Sequence, residues 1–185
     1  MIDEILLDAE ENMDKAVEVA KDSFASIRTG QASSAMFANI LVDYYGAPTP
    51  LQQLAAIAVP EARTVTISPY DAGAKREIVA ALRDSDLGVN PSDDGQLIRV
   101  NLPILTEERR KDYVKLAKVK AEDAKITLRN MRRKAKDAID AAVKNGDVGE
   151  DDGSRGEKEL DALTKRHVEV VDSLLASKES ELLTV

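Results

Sequence analysis

The sequence predicts an α+β protein in which a small α/β domain is inserted into an elongated three-helix bundle. Helical periodicity dominates both ends of the 185-residue chain, whereas residues 31–105 have a strand-like texture. The prolines support this division, because all six lie in the central region, at positions 48, 50, 60, 69, 91 and 103. Helical and strand-rich segments kept apart along a chain are typical of α+β folds.

An apolar stripe between residues 2 and 27 predicts the first long helix. Its side chains recur at steps of three and four residues, the spacing of one face of a helix in a bundle. Acidic residues crowd the first turns, where the helix dipole favours negative charge, and Gly30 is placed to end the helix. The stripe consists of Ile2, Leu6, Ala9, Met13, Ala16, Ala20, Phe24 and Ile27.

The central region alternates strand and turn signals. Runs rich in β-branched residues predict strands at 39–45, 63–70 and 97–105. Turn residues separate them at 46–50, 59–62 and 90–95. Residues 72–88 predict a short helix with an apolar face formed by Ile78, Val79 and Leu82. Tyr44 and Tyr45 are expected on opposite faces of a strand, one in the core and one exposed.

The helical pattern returns at Thr106, whose hydroxyl is placed to cap a helix that starts with acidic residues. Neither Gly nor Pro interrupts residues 104–145, so one helix of about 38 residues, roughly 57 Å long, is expected. A loop is predicted at 145–153. A third apolar stripe follows it, formed by Leu160, Leu163, His167, Val170 and Leu174, with Val171 and Leu175 beside it.

Three amphipathic helices bury their stripes most economically in one bundle. The bundle is therefore predicted from residues 1–30 plus 105–185, with 31–104 as an inserted domain joined by two chain crossings. No apolar run approaches the ~20 residues that a membrane span needs. The acidic N-terminus lacks a signal-peptide pattern, so a cytoplasmic monomer is expected.

Positive charge is concentrated in the second long helix. Residues 108–137 contain twelve Lys and Arg against five acids, a net charge of +7, which leaves −15 for the rest of a chain whose net charge is −8. On a helical wheel, eight of these cations share a face about 100° wide, opposite the apolar positions. The eight are Lys111, Lys115, Lys118, Lys125, Arg129, Arg132, Arg133 and Lys136. Such a stripe suits a phosphate backbone.

Two other interpretations of this helix stay open. The cations could form an ordinary solvated face, or they could bind an acidic partner protein, as in a helical adaptor or chaperone. Against the first, like charges at three- and four-residue spacing cost a few tenths of a kcal/mol per pair. Arginines at 129, 132 and 133 also offer planar forks for bidentate phosphate contacts.

The sequence argues against an enzyme. It contains no Cys and only one His, so neither a thiol nucleophile nor a histidine-based catalytic or metal site can be assembled. His167 lies on an apolar stripe, where a hydrogen-bonded histidine at the edge of the core is expected. The acidic segment 149–159 lacks the spacing of a calcium loop, and 29–39 lacks the ending of a phosphate loop. No cofactor or metal is expected.

Several segments together closely resemble the bacterial ribosome recycling factor family, essentially from end to end. They include "IRTG" (27–30), "VDYYGAPTPLQQLA" (42–55), "LPILTEERRKD" (102–112) and "LRNMRRKAKD" (128–137). The resemblance implies an L-shaped molecule similar in outline to tRNA. It also implies a non-enzymatic factor that works with elongation factor G and GTP to split the ribosome left on mRNA after termination.

The resemblance also implies where the ribosome is contacted. The bundle would lie on the large subunit across the A and P tRNA positions, with Arg132 as the key arginine. Gln31 departs from the family, which usually has Arg there. The expected rRNA-binding residues are Arg132, Arg129, Arg133, Lys136, Lys125, Lys118, Arg28, Arg109 and Arg110. The expected hinge residues are Thr29, Gly30, Gln31, Ala32, Leu102, Pro103, Ile104 and Leu105.

Overall fold

The computed structural model describes residues 1–184 and confirms the predicted α+β class. Three long helices are present, α1 (Ile2–Ala25), α4 (Glu107–Lys144) and α5 (Glu150–Leu183). Between α1 and α4 lie two short helices, α2 (Leu51–Leu54) and α3 (Lys75–Arg83), and six strands. The strands are β1 (Leu41–Tyr44), β2 (Ala47–Pro50), β3 (Ala55–Glu61), β4 (Thr64–Pro69), β5 (Asn90–Asp94) and β6 (Leu97–Asn101).

The chain divides into two compact units. The first consists of Met1–Phe24 and Lys115–Glu179, and the second of Ala25–Val114 together with the chain from Ser180 onward. The second unit thus includes the start of α4 and the end of α5. The domain limits expected from the sequence, 1–30 plus 105–185 around 31–104, stay a prediction, and Val185 lies outside the described residues.

The first unit is a three-helix bundle with an aliphatic core. Four of the six buried positions on α4 are alanines. One position of the predicted α5 stripe is wrong, because Val171 is buried while Val170 points to solvent. The core side chains are Ile2, Ala9, Met13, Val17, Ala20 and Phe24 of α1, Ala117, Ala121, Leu128, Ala135, Ile139 and Ala142 of α4, and Leu160, Leu163 and Val171 of α5.

The connection between α4 and α5 is shorter than predicted. A loop was expected over 145–153, but α5 already begins at Glu150 and includes Gly153 and Gly156. Both glycines are buried inside the bundle. A Cβ at Gly156 would lie 2.8 Å from Cγ2 of Ile2, closer than real Cβ contacts. These glycines therefore do not break the helix; they allow it to pack against its neighbours.

The second unit contains two antiparallel sheets over its own core. β1 and β2 form a hairpin, and the larger sheet has the order β3-β4-β6-β5. Tyr45 and Gly46 form the two-residue hairpin turn with φ of 50° and 82°, the signs of a type I′ turn. Tyr45 is consequently in a turn and 83% exposed, while Tyr44 is half-buried. The large core side chains are Phe37, Val42, Leu51, Ile67, Ile78, Leu82 and Ile98.

Three strands were missed because each contains a proline that lies within a predicted turn. β2, β3 and β5 contain Pro48, Pro60 and Pro91, and each of these strands lies at the edge of its sheet. An edge strand tolerates proline because its outward N–H is not needed for pairing. Among residues 1–184, no helix is long and apolar enough to cross a membrane.

Candidate nucleic-acid interface on α4

The predicted basic stripe of α4 is present but is divided into two groups. Five of its eight cations are exposed, and Lys111 among them pairs with Glu107 at 3.2 Å. The other four exposed cations make no ion pair with any residue of the described chain, and we call them the open cations. They are Lys115, Lys118, Arg129 and Arg133, all within the first unit.

The remaining three cations of the stripe contact acids of α5. Lys125 pairs with Asp172 at 2.5 Å, Arg132 with Asp161 at 2.6 Å, and Lys136 with Glu157 at 4.0 Å. Within α4, Lys125 also pairs with Glu122 and Lys136 with Asp140. The expectation of one continuous solvent-facing stripe is therefore wrong for these three positions.

The position of the buried face explains this division. The deepest apolar residues of α4 are Leu128 and Ile139. On the wheel they lie about 80–100° from Arg129 rather than opposite to it. The core thus adjoins the basic face on one side, and Lys125, Arg132 and Lys136, which lie toward that side, meet α5.

The acids hold two of the lysines firmly in the charged form. The hydrogen bond and charge of Asp172 raise the pKa of Lys125. Asp140 does the same for the pKa of Lys136. Only 14% of the Lys125 side chain is exposed, so its ammonium group is largely satisfied within the protein.

Arg132 differs from these lysines in how it is bound. Its Nε donates to Oδ1 of Asp161, and no other guanidinium nitrogen bonds to a described residue. Of its side chain, 34% is exposed. An arginine has five N–H donors in a planar fork, so Arg132 keeps donors for an external anion.

Arg28 does not lie on a surface. It is only 3% exposed, and its guanidinium donates to the carbonyls of Leu87 and Pro103. Burial lowers the pKa of Arg28, and its Nε finds no partner among the described residues. Arg28 therefore ties together backbone segments of the second unit and offers almost no exposed surface, while the expected rRNA contact stays a prediction.

Arg110 also has a structural role. Its Nη1 donates to the carbonyl oxygens of Leu182 and Thr184 at 2.8 and 3.0 Å. These carbonyls lie in the last turn of α5 and just beyond it, where the helix supplies no donors of its own. Arg109 is exposed and lies beside Gly88, whose φ of +64° favours glycine. Arg109 therefore remains accessible, whereas Arg110 is partly occupied.

The expected hinge residues lie in two segments without helix or strand. Short backbone hydrogen bonds hold both segments, from Ala32 N to Ala62 O and from Leu102 N to Arg63 O, each at 2.7 Å. Leu102 and Leu105 are buried, whereas Ile104 is exposed. A cavity of about 580 Å³ lies beside them, with Thr29, Gly30, Gln31, Ile104 and Leu105 in its wall. Motion at these segments stays a prediction.

His167 has the environment that the sequence predicts, whereas the paired acids of α5 were not predicted. His167 is buried, with Nδ1 2.8 Å from the carbonyl of Leu163 and Nε2 2.7 Å from Oδ1 of Asp14. It is thus a hydrogen-bonded histidine at the core, as predicted.

The acids at 157, 161 and 172 carried a usable signal, because they recur on one face of α5. In the described chain, no group of three acidic or histidine side chains is arranged to hold a metal ion.

Comparisons with known proteins identify the family. The family model described as "Ribosome recycling factor" matches residues 20–183. Ribosome-recycling factors of Kineococcus radiotolerans, Beutenbergia cavernae and Saccharopolyspora erythraea are 62%, 64% and 63% identical, with full coverage of both chains.

Solved structures agree with this result. The solution structure of a ribosome recycling factor aligns with a TM-score of 0.75 at 38% identity and covers 100% of this chain and 98% of the other. A second match has a TM-score of 0.67 at 38% identity over the whole of both chains. It shows models for the T. thermophilus ribosome recycling factor and the E. coli elongation factor G bound to the E. coli post-termination complex. The chain belongs to the ribosome recycling factor family, whose members are translation factors and not enzymes.

Proposed function

We propose that this chain binds the large subunit of the post-termination ribosome through rRNA contacts of α4, and that it separates the subunits together with elongation factor G and GTP. The observation that carries the proposal is the group of four open cations, which no acid of the described chain neutralises. The choice of partners is supported by the related factor that is bound, with elongation factor G, to a post-termination complex.

The geometry of the open cations suits phosphates. Arg129 and Arg133 are one turn apart on the same face of α4, so both forks can reach the same strand of RNA. Lys115 and Lys118 extend the same face toward the start of the helix. Each phosphate contact releases condensed counterions, so binding is expected to weaken steeply as salt rises.

The acidic remainder of the chain restricts binding to this face. With +7 concentrated in residues 108–137 and −15 elsewhere, other surfaces are repelled by RNA. This distribution favours one orientation on the ribosome. It also disfavours adhesion to arbitrary nucleic acid, which suits a factor that must be released after each round.

The resemblance to the family supports the finer features of the proposal. The bundle occupies the A and P tRNA positions, and GTP hydrolysis by elongation factor G supplies the energy. The irregular segments at 29–32 and 102–105 then serve as hinge crossings that transmit the push of the partner. Occupation of the tRNA positions predicts that tRNA bound at those positions competes with the chain for the ribosome.

The test is sedimentation of the protein with purified large subunits and with vacant ribosomes across a salt series. The double substitution Arg129→Ala/Arg133→Ala is compared with Lys158→Ala/Arg166→Ala, which removes two exposed cations from α5. The first pair should reduce the slope of log K against log salt by about 1.5, whereas the control should leave it unchanged.

A functional assay completes the test. Light scattering follows subunit separation of post-termination complexes in the presence of elongation factor G and GTP, and the α4 variant should be slower than the α5 control. If the wild-type chain failed to bind large subunits even at low salt, the proposal would be wrong. An adaptor that binds an acidic protein would then be the better interpretation of α4.

A further inference from the structure

Three cation–acid pairs connect α4 to α5 in an antiparallel series. They join Lys136 to Glu157, Arg132 to Asp161 and Lys125 to Asp172. Each of the two lysines has a second acid on α4, at Asp140 and Glu122. Arg132 has Asp161 alone among the described residues, and the central pair of the series is thus chemically different from its neighbours.

The contact with Asp161 fixes the Arg132 side chain without occupying its outer donors. The carboxylate oxygen accepts from Nε, the nitrogen nearest the aliphatic stem, at 2.6 Å. The two terminal nitrogens bond to no described residue, and a third of the side chain remains exposed. A guanidinium held in this way is oriented on its inner edge and free on its outer edge.

We propose that Asp161 is a positioning residue, which holds the Arg132 guanidinium in the orientation that binds an RNA phosphate. The inference rests on the proposed function and adds a residue to it. A free arginine loses much rotational freedom when its fork binds, and a side chain that is already fixed loses less. The pair therefore increases affinity, although Asp161 itself carries a charge that RNA repels.

The repulsion gives a competing explanation, in which Asp161 masks Arg132 and weakens RNA binding. Substitutions at position 161 distinguish the positioning explanation from the masking explanation. Asp161→Ala removes both the acceptor and the charge, so it weakens binding if Asp161 positions and strengthens it if Asp161 masks. Asp161→Asn keeps an acceptor oxygen and removes only the charge. Under the positioning proposal it should bind about as well as the wild type.

The experiment measures the affinity of the full chain for large subunits across a salt series. The variants are Asp161→Ala, Asp161→Asn, Arg132→Ala and the double variant Asp161→Ala/Arg132→Ala. Asp161→Ala should weaken binding about fivefold, within the range of coupling between contacting residues. Its salt slope should not fall, because the Arg132 charge remains. Arg132→Ala should lower the slope by about 1, and the double variant should bind as Arg132→Ala does.

Asp172→Ala is the matched control, since it breaks another cation–acid pair between the same two helices. It should lower the melting temperature and leave the affinity unchanged, because little of the Lys125 side chain is exposed. Circular dichroism establishes that each variant is folded at the assay temperature. A loss of affinity in Asp172→Ala equal to that in Asp161→Ala would show a structural effect of any such pair and would overturn the proposal.

Other outcomes also decide the question. Tighter binding by Asp161→Ala would show masking. An equal loss from Asp161→Ala in the wild-type and Arg132→Ala backgrounds would show that Asp161 does not act through Arg132. Wild-type affinity in Arg132→Ala, with weak binding in Arg129→Ala/Arg133→Ala, would overturn this inference and leave the proposed function in place. No binding by the wild type would overturn both.

Discussion

Gly153 of α5 lies directly against Val143 of α4, so closely that a Cβ at position 153 would be 2.5 Å from Val143 Cγ2. The two residues belong to the ends of the helices that the short connection joins. A Val side chain has little freedom to move away, because its χ1 is restricted in a helix. The close packing of α4 and α5 at this end thus depends on the missing side chain of Gly153.

We therefore predict that Gly153→Ala destabilises the protein despite the better helix propensity of alanine. Overpacking costs about 1–3 kcal/mol, and a contact as short as 2.5 Å belongs in the upper part of that range, above the helix-propensity gain of about 1 kcal/mol. Urea unfolding measures the difference. Gly149→Ala is the control, since a Cβ there meets nothing within 4 Å.

The double variant Gly153→Ala/Val143→Ala tests the cause. Removal of the Val143 methyl groups makes room for the new Cβ, so most of the loss should be recovered relative to Val143→Ala alone. Equal losses in the two backgrounds would show that the conflict lies elsewhere.

The burial of Arg28 leads to a second prediction. Arg28→Ala removes two charge-assisted hydrogen bonds to the carbonyls of Leu87 and Pro103. Buried carbonyls without donors are costly, so the free energy of unfolding should fall by about 2–4 kcal/mol. Arg28→Lys should not restore it, because one ammonium group cannot reproduce the fork.

The same variant separates a structural role from an RNA contact. The folded fraction of Arg28→Ala should bind large subunits with the wild-type salt slope, because Arg28 contributes no exposed charge. Arg83→Ala is the control for charge loss in the same unit, since Arg83 is an exposed cation at the end of α3. A lower slope in Arg28→Ala alone would restore the role expected from the sequence.

Long-range periodicity explains what the sequence predicted well. The three long helices were located because an uninterrupted pattern over many turns outweighs local exceptions. Thr106 was placed correctly as a cap, and its Oγ1 accepts from the N–H of Arg109 at 3.1 Å. The hairpin turn was harder to predict from the sequence, because Tyr45 occupies a position with positive φ that is usually taken by Asn, Asp or Gly.

Properties that depend on two elements at once were not predicted. The periodicity of α4 alone does not reveal which side of its basic face meets α5, so the half-buried positions of Lys125, Arg132 and Lys136 were missed. Likewise, nothing in the local sequence of Arg28 indicates burial. Its partners, Leu87 and Pro103, are 59 and 75 residues away along the chain.

A third prediction concerns the pH dependence of stability through Asp71. The N–H of Gly73 and the hydroxyl of Tyr44 donate to its carboxylate at 2.9 Å each, and they lower the pKa of Asp71. A carboxylate with a lowered folded-state pKa stabilises the fold above its unfolded-state pKa, near 3.9. That contribution is lost as the pH falls through the folded-state value.

Chemical unfolding between about pH 3 and 7 checks this sign. The wild type should be more stable than Asp71→Asn at about pH 7, and the difference should shrink below about pH 4. Asp43→Asn serves as the control, because no hydrogen bond or ion pair to a described residue holds the Asp43 carboxylate. A difference between wild type and Asp71→Asn that grew toward acid would contradict the assignment.

A fourth prediction concerns the contact between α1 and α5. Both ring nitrogens of His167 face oxygens, the carbonyl of Leu163 and the carboxylate of Asp14. Asp14→Ala removes one of these partners and leaves a largely buried nitrogen without one, which should cost about 1–3 kcal/mol. Denaturant unfolding measures the loss, with Glu11→Ala, an exposed acid of the same helix, as the control.

The His167→Ala background shows whether the loss acts through the ring. With the imidazole removed, Asp14→Ala should cost no more than Glu11→Ala, because the exposed carboxylate can be hydrated. Ribosome binding should be unchanged in the folded Asp14→Ala protein, since the pair lies on α1 and α5 rather than among the open cations. A reduced salt slope in this variant would mean that the RNA-binding surface extends beyond α4.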